Sequence, residues 1–338
     1  MSKKYHIVGI GNSIVDITCL VEDSFLLEYS LTKGGMFLID DVQAKKLSHL
    51  KYQKISSGGS VANTIASLSM SKSRTAFIGK IGQDKFGDIF FDDLKKIGCD
   101  FYCKNKEKSG STAKSFVLIT PDGERTMCTY LGLASKIANE IDESVIKDSE
   151  ILYLEGYLWD APETIKALRS AIAIAKNNDI KVAFTLSDAF CVERHHEDFL
   201  KSFTNFDILF ANEMEMSVLI GKDFSDNNYR KVKDIIDHLN PNLIIAMTLG
   251  ENGAVIFEGT TIHHISTKKS KKVLDTTGAG DSFAAGFLYG IGNNFSLTKS
   301  AKLGNAFAGA VISQVGARLD QEKLFALNKE MLSLETVS

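Results

Sequence analysis

The chain of 338 residues has three prolines and one tryptophan, and its five cysteines are scattered and odd in number. Cys19, Cys99, Cys103, Cys128 and Cys191 form no C-x-x-C pair. That spacing argues against a zinc knuckle or a disulfide-stapled scaffold and for a reducing compartment. Neither sign of charge is in excess. The 39 basic and 42 acidic side chains leave a formal charge of −3, without the broad basic field of a chain that grips nucleic acid non-specifically. No apolar run approaches the roughly 18 residues that cross a bilayer. Near the start, HIVGIGNSIVDI is broken by Asn12, Ser13 and Asp16, so it reads as strand and turn rather than a cleavable signal. No G-x-x-x-x-G-K-[ST] loop is present to cradle a phosphate donor, and no G-x-S-x-G nucleophile elbow. Glycine, in contrast, is plentiful, with 26 residues whose positions carry most of the information.

At about 150 residues per domain the length allows two domains, or one large domain with an appendage. Apolar runs at Thr75–Ile78, Ile151–Leu154, Val182–Leu186, Ile208–Phe210 and Leu243–Met247 read as buried strands. Between them lie segments of helical period. Phe86, Ile89, Phe90, Leu94 and Ile97 form one stripe ending at Gly98, and Ile165, Leu168, Ile172 and Ala175 form another after Asp160 and Pro162. Ser225–Asn240 is expected to be helical too. Buried strands alternating with helices imply right-handed crossovers and a mostly parallel sheet covered on both faces, an α/β fold. Two stretches break the rhythm. Ala113–Thr120 and Glu124–Tyr130 are strands joined by the turn Pro121-Asp122-Gly123, and Asp16–Val21 and Met36–Ile39 are short strands flanking a helical piece. These predict a small sheet standing off the main one. The large unit is expected over 1–15, 50–110 and 132–338, and the small one over 16–49 and 111–131.

Three glycine clusters carry the chemistry. In Asp275-Thr276-Thr277-Gly278-Ala279-Gly280-Asp281 the run Gly278, Ala279, Gly280 enters an apolar helix and exposes consecutive backbone N–H groups, a ready anion site. A carboxylate at its rim, Asp281, repels an anionic ligand unless it serves a purpose. Acting as base for an attacking hydroxyl is one such purpose, and capping the helix is the plainer alternative. In the second cluster, Gly58 and Gly59 open another apolar helix and permit close backbone approach, while Asn63 both donates and accepts, which suits a hydroxyl-rich ligand or local backbone bonding. The third, Val8-Gly9-Ile10-Gly11-Asn12-Ser13-Ile14, lacks the last glycine of a dinucleotide fingerprint. Asp16 then reads as an acceptor for paired hydroxyls, or as a turn residue. Asn212 and Glu215 share a helical face after a strand and suit either a hydrated Mg²⁺ or a capped helix start. The loop Thr248 to Gly253, with Gly250 between, is a close-approach loop for a nucleotide. Lys268, Lys269, Lys271 and Lys272, and the pairs His195-His196 and His263-His264, read as surface residues.

DTTGAGDSFAAGF resembles the C-terminal motif of the ribokinase/PfkB family of small-molecule kinases, GGSVANT with GKIGQDKFG its N-terminal motif, and GNSIVD its substrate strand. The resemblance runs in order over essentially the whole chain. Within the family, DSFLLEYSLTKGGMFLIDDVQAKK and FDILFANEMEM are most similar to adenosine kinases, and EGYLWDAP and TLSDAFCV to their bacterial branch. Met36 and Thr277 depart from it, where many adenosine kinases carry Gln and Asn.

The resemblance implies a ribokinase-like three-layer α/β/α domain with a small β lid, cytoplasmic and monomeric or homodimeric. Its implied reaction is ATP-dependent phosphorylation of a ribose-type primary hydroxyl, the 5′-OH of adenosine first among them. Ribose, fructose, inosine or guanosine are alternative acceptors. A non-catalytic nucleoside- or sugar-binding protein, and more remotely a dinucleotide-dependent oxidoreductase, are readings of other classes. By resemblance Asp281 is the base, and the amides of Gly278, Ala279 and Gly280 form the anion hole. Asp16, Gly58, Gly59 and Asn63 hold ribose hydroxyls, with Asn12 near the nucleobase. Asn212 and Glu215 organise Mg²⁺ through water, and Thr248, Gly250, Gly253 and Asn305 lie along ATP. Arg125 closes over the transferring phosphate, and a monovalent cation such as K⁺ sits near Asp275 and Thr277. Phe37, Tyr157 and Trp159 are candidates to stack on the base.

Overall fold

In the computed structural model, which describes residues 3–104, 108–221, 229, 232, 233, 238, 240–270 and 272–333, the alternating pattern builds two sheets. The strands in chain order are β1 (Tyr5–Ile10), β2 (Ile14–Leu20), β3 (Met36–Leu38), β4 (Tyr52–Gly58), β5 (Thr75–Ile78), β6 (Asp100–Tyr102), β7 (Ala113–Ile119) and β8 (Arg125–Tyr130). They continue with β9 (Ser149–Glu155), β10 (Lys181–Thr185), β11 (Ile208–Asn212), β12 (Ile244–Thr248), β13 (Ala254–Glu258) and β14 (Thr261–Ile265). The main sheet has nine strands in the order β14-β13-β12-β11-β10-β9-β1-β5-β6. Every pairing from β6 to β12 is parallel, and β13 and β14 are added antiparallel at one edge.

Side chains alternate across this sheet, so each strand feeds two cores. Ile7, Ile151 and Tyr153 pack on one face, and Val8, Ile10, Leu152 and Leu154 on the other. The first face is covered by α3 (Ser60–Met70), α4 (Lys85–Lys96), α9 (Ala279–Gly292), α10 (Leu297–Val311) and α11 (Gln321–Ser333). The second is covered by α5 (Glu143–Lys147), α6 (Pro162–Lys176), α7 (Ala189–Ser202) and α8 (Glu213–Ile220). In α9 Phe283 and Phe287 are fully buried, each contributing about 1.5–3 kcal/mol by area removed from water. The stripe ending at Gly98 is α4, with Asp84 capping it through the amides of Phe86 and Gly87. Pro162 starts α6, but Asp160 does not cap it. That carboxylate pairs with Arg194 and His195 instead. His195 and His196 are thus partly buried and bonded, not surface residues.

The small sheet has five strands in the order β3-β8-β7-β2-β4. Gly123 turns the β7–β8 hairpin at φ +86°. The edge strand β4 lies within the segment expected to belong to the large unit, and the sheet begins at Ile14. Its pairing explains the difference. Ile14 to Ile17 pair antiparallel with Gly58 to Ile55, so the glycine loop that opens α3 is continuous with the small sheet. Val15, Ile17 and Cys19 pack with α1 (Asp23–Glu28) and α2 (Asp41–Leu47) through Leu26, Ala44 and Leu47. The alternate residues face the main domain across a cleft. Most of Ser225–Asn240, and Lys271, lie outside the described residues. Among the described residues no helix is long and apolar enough to cross a membrane.

Candidate active site

The cleft, about 770 Å³, runs between the C-terminal ends of the main-sheet strands and the small sheet. Its floor holds Asn12, Gly59, Asn63, Glu155, Thr277 and Asp281, and its roof includes Ile14, Asp16, Met36, Phe37, Leu38 and Met127. Ligand binding beyond the carboxyl ends of parallel strands is the general rule for such sheets.

Two helix starts converge on the floor. Gly278, in the left-handed region, is the N-cap of α9, and Asp281 stands in its first turn. Its Oδ1 accepts from Ser60 Oγ at 2.7 Å and its Oδ2 from Asn63 Nδ2 at 3.0 Å, while its carbonyl accepts from Thr64 Oγ1 at 3.0 Å. All three donors lie on the opening turns of α3, more than 200 residues away in sequence. Burial pushes the Asp281 carboxyl up to about 6, against the lowering effect of Ser60, Asn63 and Arg318. Asp281 is therefore not a simple helix cap; its side chain is held by the neighbouring helix.

The glycines beneath are required by what lies on them. A Cβ at Gly58 would stand 2.3 Å from Asp16 Oδ2, and one at Gly59, where φ is +96°, would stand 2.3 Å from the Asn12 carbonyl oxygen. Close packing of this loop thus places Asp16 and Asn12. Among the described residues no donor reaches the Asp16 carboxylate, which burial raises to about 6. Asn12 is 1% exposed and neither polar atom of its amide has a partner. Both groups keep hydrogen-bonding capacity that the fold leaves unused.

Glu155, at the end of β9, had no assigned role in the sequence reading. It is fully buried, accepts from Asn12 N at 2.9 Å and Val61 N at 2.8 Å, and is raised to about 7 by burial. The available signal was a lone acid closing an apolar strand, ILYLE. Arg318 and Ser60 were also unassigned. Arg318 comes from a loop with no motif, and only the fold brings it to Asn63, where Nε donates to Oδ1 at 2.8 Å.

Of the other expected residues, some stand in the cleft and some do not. Phe37 and Tyr157 line it, joined by Phe190, whereas Trp159 is 1% exposed in the core, edge-on to Phe184 and Phe199 at 5.2 and 5.6 Å. Trp159 is therefore no stacking surface for a ligand. The Ala279 amide donates to the Thr276 carbonyl at 3.2 Å, so of the three expected amides this one is already engaged. Arg125 reaches from β8 to Asp275 Oδ2 at 2.8 Å. Asp275 also accepts from Gly316 N at 2.7 Å and Thr277 N at 3.0 Å. A guanidinium thus occupies the place expected for a monovalent cation, and these residues do not fit one without displacing Arg125.

On the far side, Asn212 and Glu215 form a reciprocal capping box at the start of α8. Glu215 N donates to Asn212 Oδ1 at 2.8 Å, and Asn212 N to Glu215 Oε2 at 3.0 Å. Glu215 is 6% exposed and raised to about 7 by burial, and among the described residues no cation stands beside it. Among the described residues no group of three or more His, Cys, Asp or Glu could hold a metal directly. Thr248 ends β12, and Gly250 and Gly253 shape the turn after it with φ of +56° and +92°. Asn305 anchors the exit of β14, its Nδ2 donating to the carbonyls of Ile265 and Ser266 at 3.2 and 3.4 Å.

The fold is shared with known proteins. The structure is similar to that of an adenosine kinase from Sinorhizobium meliloti, with 37% identity and a TM-score of 0.88 over 97% of this chain and 99% of that one. It is equally similar to a probable sugar kinase from Rhizobium etli, with 36% identity and a TM-score of 0.88 over 98% and 99%. Adenosine kinase of Saccharomyces cerevisiae is 25% identical over 337 residues, 94% of this chain and 98% of that one. The model of the pfkB family carbohydrate kinases matches residues 30–324, which include both glycine-led helix starts and every strand of the small sheet except β2. With the ribokinase-like fold, the paired helix starts and that match together, the chain belongs to the pfkB family, whose members are phosphotransferases with an alcohol acceptor.

Proposed function

We propose that this kinase transfers the γ-phosphoryl group of ATP to the primary hydroxyl of a ribose unit, the 5′-OH of adenosine, giving AMP and ADP. The observation that carries this reading is the Asp281 carboxylate, held by Ser60 and Asn63 in one cleft with an Asp16 carboxylate that no protein donor reaches. Asp16 suits the paired hydroxyls of a ribose, and the unpartnered amide of Asn12 suits a group that both donates and accepts. The roof supplies Met36, Phe37 and Leu38, and the opposite wall Tyr157 and Phe190. An apolar, aromatic-walled slot of this size favours a flat base over a bare monosaccharide.

In the reaction a bond forms between the acceptor oxygen and the γ-phosphorus while the β–γ bridging bond breaks. The hydroxyl proton passes to Asp281. At neutral pH a carboxyl near 6 is ionised, yet it is far too weak a base to deprotonate an alcohol beforehand. Proton transfer therefore comes late, and Asp281 acts first by orienting the hydroxyl. Charge in the loose transition state spreads over the equatorial oxygens. The Gly280 and Asp281 amides of the first turn of α9, which have no intrahelical partners and, unlike the Ala279 amide, are not engaged by Thr276, are available to this charge together with the positive end of that helix. Arg125 stands beside the same motif through Asp275.

The buried Glu215, which has no counter-charge among the described residues, fits a hydrated Mg²⁺ held with Asn212 through water. Such an ion supplies neutralisation of the phosphate oxygens.

Measuring ADP release with adenosine, inosine, guanosine, ribose and fructose tests the acceptor. Adenosine is expected to give the highest kcat/KM. A higher value for ribose or fructose would replace the nucleoside with a sugar while leaving the phosphotransfer intact.

A further inference from the structure

We propose that Arg318 is a positioning residue for phosphoryl transfer, orienting the Asn63 amide and through it the Asp281 carboxylate, while its charge balances the acidic floor. The proposal rests on the reading of Asp281 as the base.

The geometry is a relay. Arg318 Nε donates to Asn63 Oδ1 at 2.8 Å, and Asn63 Nδ2 donates to Asp281 Oδ2 at 3.0 Å. A guanidinium carries donors only. Hence the amide oxygen of Asn63 must face Arg318, and its NH₂ must face Asp281. Without Arg318 the amide is free to turn its oxygen toward the carboxylate, a repulsive pairing that leaves the Asp281 carboxylate held by Ser60 alone. The guanidinium is itself braced. Nη1 donates to Ser57 Oγ at 2.6 Å, and Ser57 Oγ donates to Asp93 Oδ2 at 2.9 Å. Its loop is pinned by Gly316 N on Asp275 at 2.7 Å and by Gln314 Nε2 on the Arg318 carbonyl at 2.7 Å.

Charge supports the same assignment. Asp281 is faced by Ser60 and Asn63 from α3, by Tyr153 and Glu155 from β9, and by Asp16 from β2. Glu215 from α8 adds to the negative side, and Lys54 from β4 acts on Asp16. Arg318 draws both Asp16 and Asp281 down against their burial, and Asp93 faces it from α4. Its Nη2 is buried with no hydrogen-bond partner. A buried donor of this kind is costly to keep unless its charge is used.

The test compares Arg318→Met, Arg318→Lys, Asn63→Ala and the Arg318→Met/Asn63→Ala double variant of the full chain. The best acceptor is used across pH 5–9, with circular dichroism as a check on folding. Arg318→Met is expected to lower kcat about 10- to 100-fold, the scale of a misplaced reacting group, with the KM for ATP little changed. The acid limb of its kcat profile moves to higher pH, because losing the guanidinium raises the carboxyl that must be ionised. Arg318→Lys, which keeps the charge and guards against a folding defect, returns the limb toward its original position but recovers only part of kcat. In the cycle, Arg318→Met adds less than about threefold to Asn63→Ala, the mark of a shared interaction. Full additivity with an unmoved acid limb would reduce Arg318 to a structural residue and overturn the proposal. Failure of the base assignment shows separately: near-normal turnover by Asp281→Asn overturns both, whereas a slow Asp281→Asn beside a normal Arg318→Met overturns the relay alone.

Discussion

Floor and roof of the cleft are built by opposite means. The floor is charged and over-determined. Asp281 accepts three hydrogen bonds, Glu155 two backbone amides, and Asn63 is fixed from both sides. Apart from Asp16 the roof is apolar, and its edge is loosely held. Met36 and Leu38 are 42% and 54% exposed on β3, a strand of three residues at the sheet edge. Fixed dipoles that need no rearrangement are what a charge-developing transition state requires, so on the proposed reaction the floor is expected to set the rate. Apolar surface discriminates by area and shape, so on the proposed reaction the roof is expected to set the choice of acceptor.

The largest expected effect breaks the floor. Asp281→Asn should fold normally, bind both substrates and lose about 10²–10⁴ in kcat, the range for a general base, as measured by steady-state ADP release. A loss confined to KM would erase the distinction between the two surfaces. An intermediate effect sharpens the roof. Phe37→Ala should raise the nucleoside KM about tenfold, the value of part of one aromatic contact, with kcat nearly unchanged. The same substitution should leave turnover of free ribose, which has no base to cover, as it was.

The smallest effect concerns the free protein. Asp16 and Asp281 are raised to about 6 and Glu155 to about 7, all by burial first. A carboxyl raised in the folded state adds stability that is full below its unfolded value near 4 and is lost as pH climbs through 6 to 7. The melting temperature should therefore rise as pH is lowered from 7.5 to 5.5. Asp281→Asn should flatten that rise, and Phe37→Ala should not.

Much of this was readable from local pattern. The buried strand runs, the α4 stripe closed by Gly98, the Pro121-Asp122-Gly123 hairpin and the glycine-led starts of α3 and α9 depend on periods and backbone freedom that neighbouring residues alone dictate. Asp16, Asn63 and Asp281 stood out because a carboxylate or amide beside close-approach glycines is conspicuous in any chain. The departures share one cause. Trp159 looks like a stacking ring until the rings packed around it are known. Asp275 likewise suits a cation until Arg125 is found on it.

The amino-acid sequence by itself determined the fold class, the two helix N-termini and the identity of the acid between them, because periodicity, turn chemistry and capping are local. Only the tertiary structure decided that β4 joins the small sheet, that Glu155 and Arg318 enter the floor, and that Asn63 must point its NH₂ at Asp281. Those outcomes turn on burial, on charge balance and on which donor meets which acceptor. Such terms exist only once segments two hundred residues apart are packed together.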